Sequence, residues 1–213
     1  MWRAQAEQMR SWLRLGALPT ELHLSLQAGL IHVPVLARRV TPFDKQRLVE
    51  GFAELSAQSR HQRFFDHINQ LTPQQLAYYT EVDGEQHAAW GLLDERQPQR
   101  PGVGVARYIR REHQPRIADV AITIADAYQG MGAGTLLYAL LNRTAAYYQV
   151  QRFALDVLHE NQSFIQRIVG WGGHVVGHER DVIRLEIPVY RRASEVPTDT
   201  APGKVLQAVL KTL

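Results

Sequence analysis

The sequence contains no cysteine among its 213 residues. Disulfide bonds, thiolate metal sites and a cysteine nucleophile are therefore excluded. It also lacks any run of about 18 consecutive apolar residues, so we expect no transmembrane helix. Arg3, Glu7 and Arg10 interrupt the apolar segment that a secretory signal would need. Together these absences predict a cytoplasmic protein that does not act at a membrane.

An excess of one charge is also missing, since 24 Lys and Arg residues face 21 Asp and Glu residues. This mild positive balance suits an anionic small molecule, whereas nucleic-acid binding favours a concentrated basic stripe. His174 and His178 stand four positions apart with no third ligand nearby, so no metal site is expected. The 45% hydrophobic fraction is enough for one sizeable core.

Three regions are predicted along the chain. Residues 1–34 are interpreted as an N-terminal helical arm, because Trp2, Ala6, Met9 and Leu13 recur at helical spacing. The apolar stripe of this arm predicts packing on the main domain or on a second subunit of a homodimer. Residues 35–190 form the main domain. Residues 191–213 are predicted to be a polar C-terminal tail that includes a short helix.

The main domain is predicted to begin with a strand and continue with a helical run. Thr41, Ser56 and Thr72 each carry the pattern of a helix start. Three strands follow, over 87–94, 102–111 and 117–125. The last of them, a helix at 135–148 and a strand at 152–159 form a strand–helix–strand unit, and a second helix follows at 161–170. Strands at 175–180 and 182–189 close the order. A strand–helix–strand unit predicts one parallel pair within a mixed α/β layout.

Three glycines at alternate positions, Gly130, Gly132 and Gly134, lead directly into the helix predicted at 135–148. A dinucleotide fingerprint needs the third glycine one position later and a preceding first strand, and a Walker loop needs Gly-Lys-Ser/Thr. Neither pattern is present. Such a loop can turn backbone N–H groups toward an anion at a helix N-terminus. Two interpretations stay open, a site for another phosphate-bearing cofactor and a tight turn without a ligand.

The segment QGMGAG at 129–134 matches the Q/R-x-x-G-x-G/A motif of the GCN5-related N-acetyltransferase (GNAT) superfamily, and residues 35–190 resemble that family in strand order. The segment FAELSAQSRHQRFF at 52–65 is similar to a signature of bacterial protein lysine acetyltransferases. The resemblance implies an α/β (α+β) GNAT fold. Its sheet is mixed and mostly antiparallel, and a parallel pair formed by the family's fourth and fifth strands is splayed around acyl-CoA.

The resemblance also implies acetyl-CoA as cofactor and a set of residues that hold it. The backbone that would pair with the pantetheine arm belongs to Ile122, Thr123 and Ile124. The residues that would surround the pyrophosphate are Gln129, Gly130, Met131, Gly132, Ala133, Gly134 and Thr135. Asn161 matches a family asparagine near the cofactor arm, and a plain helix cap is the alternative interpretation of this residue.

The resemblance places a general base at Asp119, ten residues before Gln129, within ADVAI at 118–122. The subgroup has Glu in this pattern, so the carboxylate here is one methylene shorter. An ion pair with Arg116 is the alternative role of Asp119. The tyrosine that many family members use as general acid is replaced by Ile168, and a thiolate can leave without such an acid.

The implied function is acetyl-CoA-dependent N-acetyltransferase activity by direct transfer to an amine. The expected acceptor is a protein lysine, for example on an acyl-CoA synthetase. Two alternatives remain open from the sequence. One is acetylation of a small-molecule amine such as a polyamine or an aminoglycoside, and the other is a non-catalytic acyl-CoA-binding module.

Overall fold

A computed structural model describes residues 19–66 and 68–213 of the chain. The predicted helical stripe from Trp2 to Leu13 lies outside the described residues. The strands are β1 Glu21–Ala28, β2 Ile31–Arg39, β3 His87–Asp94, β4 Gly104–Arg111, β5 Gln114–Ile124, β6 Arg152–Leu158, β7 His174–Glu179 and β8 Val182–Pro188. The helices are α1 Lys45–Glu54, α2 Ala57–Phe64, α3 Pro73–Thr80, α4 Ala133–Tyr147, α5 Gln162–Gly170 and α6 Ala201–Thr212. Short 3-10 segments lie at Pro42–Asp44, Asp126–Tyr128 and Ala193–Glu195.

The strands are ordered β1-β2-β3-β4-β5-β6-β8-β7. The pairs β1–β2, β2–β3, β3–β4, β6–β8 and β7–β8 are antiparallel, and β5–β6 is parallel. This confirms the predicted α/β fold with a mixed, mostly antiparallel sheet. The parallel pair is formed by the fifth and sixth strands because one strand precedes those that the sequence predicted.

By compactness the chain divides into two units. The first unit contains residues 21–109 and 120–138, and the second contains residues 19–20, 110–119 and 139–213. No helix in the described ranges is both long and apolar enough to cross a membrane.

The additional strand β1 corrects the prediction that residues 1–34 form a helical arm, for the part of that arm that is described. Its buried residues alternate with exposed ones, which is the period of a strand with one face on the core. The buried residues are Leu22, Leu24 and Leu26. Gly29, with φ of +59°, occupies the first position of a two-residue hairpin loop, where a type II′ turn requires glycine. The predicted domain start at residue 35 therefore falls inside β2.

The predicted helix starts of the first unit are confirmed. The Ser56 hydroxyl accepts a hydrogen bond from Ser59 N at 3.1 Å at the start of α2. Thr72 and Gln75 form a capping box at the start of α3. After Thr41 the first turn is a 3-10 segment, and its Asp44 carboxylate accepts from Thr41 N at 2.8 Å. The core of this unit includes Val35, Phe52, Trp90, Leu92 and Leu137.

The residues predicted as a C-terminal tail are part of the core of the second unit. The Thr200 hydroxyl caps α6, and Leu206 and Leu210 of this helix are buried. A Cβ added at Gly203 would lie 2.1 Å from Pro197 O, so only glycine permits this approach. Further buried side chains of the unit are Phe153, Ile168, Trp171, Leu185 and Ile187.

Candidate active site

The glycine loop connects β5 to α4, and two of its three glycines have a left-handed backbone. Gly130 has φ of +76° and Gly132 has φ of +86°. A Cβ added at either position would meet no heavy atom within 4 Å. The backbone conformation therefore demands glycine at both positions, while the space beside them is open. Gly134 lies in the first turn of α4, where a Cβ would make an ordinary contact of 3.9 Å with Ile124 Cγ1.

The start of α4 presents backbone donors next to this open space. Leu136 N donates to Gly132 O at 3.0 Å. The N–H groups of Ala133, Gly134 and Thr135 precede this bond, and a helix offers such groups no acceptor of its own. The N-terminal end of the helix dipole adds a partial positive charge at the same place. An anion would be stabilised here, so the loop fits the pyrophosphate of a CoA molecule.

Asp126, which the sequence analysis did not single out, anchors the loop to α2. Its carboxylate accepts hydrogen bonds from Ser56 N at 2.7 Å, Ser59 Oγ at 2.5 Å and Gln129 Nε2 at 3.0 Å. Burial acts to raise the pKa of Asp126, but the hydrogen bonds from Ser59 and Ser56 hold it below its ordinary value. Both serines belong to the 52–65 segment, and no local sequence pattern indicated their contact with Asp126.

Gln129 points its side chain into the same anchor. Its amide also donates to Ser59 Oγ at 3.2 Å and to Ile124 O at 3.3 Å. The side chain therefore ties the loop to α2 and to the end of β5. Residues 122–124 and 129–135 all lie in the first unit, together with the anchor.

Asp119 has an accessible carboxylate that already has a cationic partner. Its side chain is 56% exposed. Arg111 donates to it from Nε at 3.0 and 3.2 Å and from Nη2 at 2.7 Å. The hydrogen bond with Asp119 raises the pKa of Arg111. The alternative pairing with Arg116 is wrong, because residues three apart on one strand point to opposite faces.

The position of Asp119 coincides with the end of the parallel strand pairing. The pairing of β5 with β6 comprises Ile117–Arg152, Ala118–Phe153 and Asp119–Ala154. The strand β5 itself continues to Ile124, and Ile122, Thr123 and Ile124 are all partly exposed. On β4, a Cβ at Gly104 would lie 2.7 Å from Thr123 O, so these two backbones are in close contact.

Asn161 caps helix α5. Its side-chain oxygen accepts from Phe164 N at 3.4 Å, which confirms the interpretation as a cap. The cap uses the oxygen, so the amide nitrogen is the atom that a ligand could contact. Ile168, on the same helix, is completely buried. The position where many family members carry a tyrosine acid is therefore part of the core here.

The chain resembles several known acetyltransferases. No family model matches the sequence. The acetyltransferase Pat of Mycolicibacterium smegmatis is 32% identical over 189 residues, which are 89% of this chain and 53% of that protein. The GNAT domain of S. lividans PAT has a TM-score of 0.72 at 25% identity, over 81% of this chain and 99% of that chain. Spermidine N-acetyltransferase of Vibrio cholerae, solved with CoA and spermine, shares the fold alone. Its TM-score is 0.58 at 18% identity, over 72% of this chain and 95% of that chain.

The chain spans about half the length of the curated relatives that it matches. Within that span it combines a glycine loop at the start of α4, a parallel pair in an otherwise antiparallel sheet, and similarity to a GNAT domain over most of its length. On these grounds the chain belongs to the GCN5-related N-acetyltransferase superfamily of acyltransferases, with the Pat acetyltransferases among its relatives.

Proposed function

We propose that the chain transfers an acetyl group directly from acetyl-CoA to the amine of a protein lysine. The observation that carries this proposal is the pair of left-handed glycines, Gly130 and Gly132, beside open space at the start of α4. A turn without a ligand would not need two such residues in a row of backbone donors. An anionic cofactor would explain both the two left-handed glycines and the backbone donors beside them.

In this proposal the pyrophosphate is held by residues 129–135, which are Gln129, Gly130, Met131, Gly132, Ala133, Gly134 and Thr135. The backbone of Ile122, Thr123 and Ile124 forms hydrogen bonds with the pantetheine arm. This assignment is supported by the end of the β5–β6 pairing at Asp119, since the three residues lie beyond it on β5. The amide nitrogen of Asn161 contributes a further donor to the cofactor arm.

Asp119 serves as general base in the proposed reaction. Acetyl-CoA would supply the acyl group as a thioester, whose C–S bond breaks as the amide bond forms, so that CoA leaves as the thiolate. The carboxylate of Asp119 accepts the proton that the attacking amine must lose. For this step its contact with Arg111 must be released. The side chain is exposed enough for an acceptor to reach it.

A protein lysine is favoured as acceptor by the 52–65 segment. This segment resembles a signature of protein lysine acetyltransferases, and its Ser56 and Ser59 contact the anchor of the cofactor loop. Mass spectrometry of a host lysate incubated with the protein and acetyl-CoA would identify acetylated lysines, with acyl-CoA synthetases among the expected partners. Acetylation of free polyamines or aminoglycosides, with no modified protein, would instead support the small-molecule alternative.

Acyl-CoA binding without catalysis is the second candidate function, and the occupied carboxylate of Asp119 favours it. The two functions differ in one measurement. Binding of acetyl-CoA with no turnover of any protein, peptide or small-molecule amine would select the second.

Acetyl-CoA is expected to raise the melting temperature of the protein. At about 100 times its dissociation constant a ligand adds about 2.7 kcal/mol to the free energy of unfolding. For a chain of this length that corresponds to an increase of about 5 to 10 °C. Free CoA should give a similar increase, because the loop contacts the part that both share. If millimolar acetyl-CoA does not raise the melting temperature, both the catalytic and the non-catalytic function are contradicted.

Replacement of Asp126 by asparagine is expected to raise the KM for acetyl-CoA by about three- to tenfold, because hydrogen bonds to a charged acceptor are lost from the loop anchor. The value of kcat should change little. Asp83→Asn is the matched control, since the Asp83 carboxylate also accepts several hydrogen bonds, in its case from three backbone N–H groups, but lies in another turn. Steady-state kinetics check the result, and an equal rise in KM for both variants would refute the anchoring role.

A further inference from the structure

A cluster of cationic side chains lies in the first unit, where α2, α3, β3 and β4 contribute to it. Arg107 of β4 is only 4% exposed. Its Nη1 donates to Tyr79 O at 2.9 Å and contacts His87 Nε2 at 3.3 Å. Its guanidinium carbon lies 4.5 Å from the centroid of the Tyr79 ring. Arginine is almost never buried to this extent without an ionic partner.

Arg63, in the last turn of α2, supplies the second cation. Its guanidinium carbon lies 4.9 Å from the centroid of the Phe64 ring. Burial and then the charge of Arg63 lower the pKa of Arg107 to about 10. Burial also lowers the pKa of Arg63. Over residues 19–66 and 68–213, no Asp or Glu forms an ion pair with either arginine.

His87 does not add to the charge of the cluster at neutral pH. Burial and the charge of Arg107 lower the pKa of His87 to about 4, against the opposing effect of Asp83. The neutral ring can accept the hydrogen bond from Arg107. Two positive charges therefore remain in a partly buried space, where unpaired charge is costly.

Two exposed aromatic side chains belong to the same elements as the cluster. Tyr78 is 53% exposed, and its ring centroid lies 5.1 Å from that of His87. Phe65, which ends α2 with φ of +59°, is 41% exposed. Exposed rings of this kind can contact the aliphatic part of an acidic side chain. The hydrogen bonds of Arg107 within the described chain involve Nη1 alone, so Nη2 and Nε stay available as donors.

We propose that Arg63 and Arg107 bind a carboxylate group, and that this carboxylate is an acidic side chain of the acceptor protein. The planar guanidinium matches a carboxylate through two parallel hydrogen bonds. Binding of the carboxylate stands on the cluster itself, whereas its assignment to the acceptor rests on the proposed function. The site would select acceptors by an acidic residue in addition to the amine.

The binding step is tested with two blocked amino acids that contain no amine, N-acetylglutamate amide and N-acetylglutamine amide. At equal ionic strength, the glutamate probe should raise the melting temperature of the wild-type protein and the glutamine probe should not. Arg63→Gln should abolish the difference. Arg60→Gln, one turn earlier on α2, is the matched control and should preserve it. Equal effects of both probes, or a response retained in Arg63→Gln, would overturn the proposal.

The melting temperatures of the same variants without ligand distinguish a change in the stability of the protein from loss of the carboxylate site. Arg63→Gln relieves repulsion with Arg107, so without ligand it should melt no lower than the wild-type protein. An increase with inorganic phosphate that exceeds the increase with the glutamate probe and that disappears in Arg63→Gln would overturn the assignment to a carboxylate. Arg107→Lys should reduce the response to the glutamate probe, since lysine cannot make the paired contact.

The acceptor step is tested with peptides that contain one lysine and either glutamate or glutamine at each nearby position. The wild-type protein should acetylate the best glutamate peptide with kcat/KM about tenfold above its glutamine counterpart, and Arg63→Gln should remove that preference. If no peptide is acetylated while the glutamate probe still binds, the proposed function fails and the carboxylate site stands. If peptides are acetylated without preference, the assignment of the carboxylate to the acceptor fails.

Discussion

Replacement of Asp119 by asparagine is expected to lower kcat for amine acetylation by about 10²- to 10⁴-fold, the usual contribution of a positioned general base. The amide has nearly the size of the carboxylate but cannot accept the proton of the amine. Binding of acetyl-CoA should be nearly unchanged, because Asp119 is not one of the residues that hold the cofactor. Turnover with saturating acetyl-CoA, measured across pH, checks the result.

Asp156→Asn provides the matched control for this variant. Asp156 is an exposed aspartate on β6 that is paired with Arg184 at 2.9 Å, as Asp119 is paired with Arg111. It should keep full turnover. Equal turnover of Asp119→Asn and the wild-type protein at every pH would remove Asp119 as the base. Together with intact binding of acetyl-CoA, a complete lack of turnover in the wild-type protein would select the non-catalytic function.

Replacement of Gly132 by alanine is expected to weaken acetyl-CoA binding by about tenfold or more. A residue with a Cβ costs about 1 to 2 kcal/mol in the left-handed conformation that Gly132 adopts. The new methyl group would also enter the open space beside the loop, where the cofactor is proposed to approach. Isothermal titration calorimetry with acetyl-CoA measures the change.

Gly84→Ala is the control for backbone strain alone. Gly84 has φ of +82° and open space around it, but it lies in the turn before β3. Both variants should lose similar stability, and only Gly132→Ala should lose affinity. Gly134→Ala should have a smaller effect, because its position is helical and tolerates a Cβ. Equal affinities of all three variants would contradict the role of the loop in cofactor binding.

The elements that the sequence predicted well are those with local signals. The strand β3 has the predicted bounds, and β6 and α5 differ from prediction by one residue at an end. Each is bounded by turn or cap residues close in sequence. The strand β1 was missed, although its alternating leucines have a clear period of two, because residues 1–34 were interpreted as one helical arm.

The contacts that define the candidate site were less accessible from sequence. Asp126 bonds serines that precede it by 70 and 67 residues, and no local pattern records such a contact. The burial of Arg107 depends on residues from three other elements. The partner of Asp119 could have been found, since strand alternation already excludes Arg116 and a β4–β5 hairpin brings Arg111 within reach.

The helix α2 has one further consequence. Its first turn is bonded to the cofactor loop through Asp126, and Arg63 stands in its last turn. Eight helical residues separate these ends by about 12 Å without an internal hinge. A displacement of one end therefore displaces the other. A ligand bound to the arginine pair could therefore alter the affinity for acetyl-CoA. Thermodynamic reciprocity then requires that acetyl-CoA alter the affinity for that ligand by the same factor.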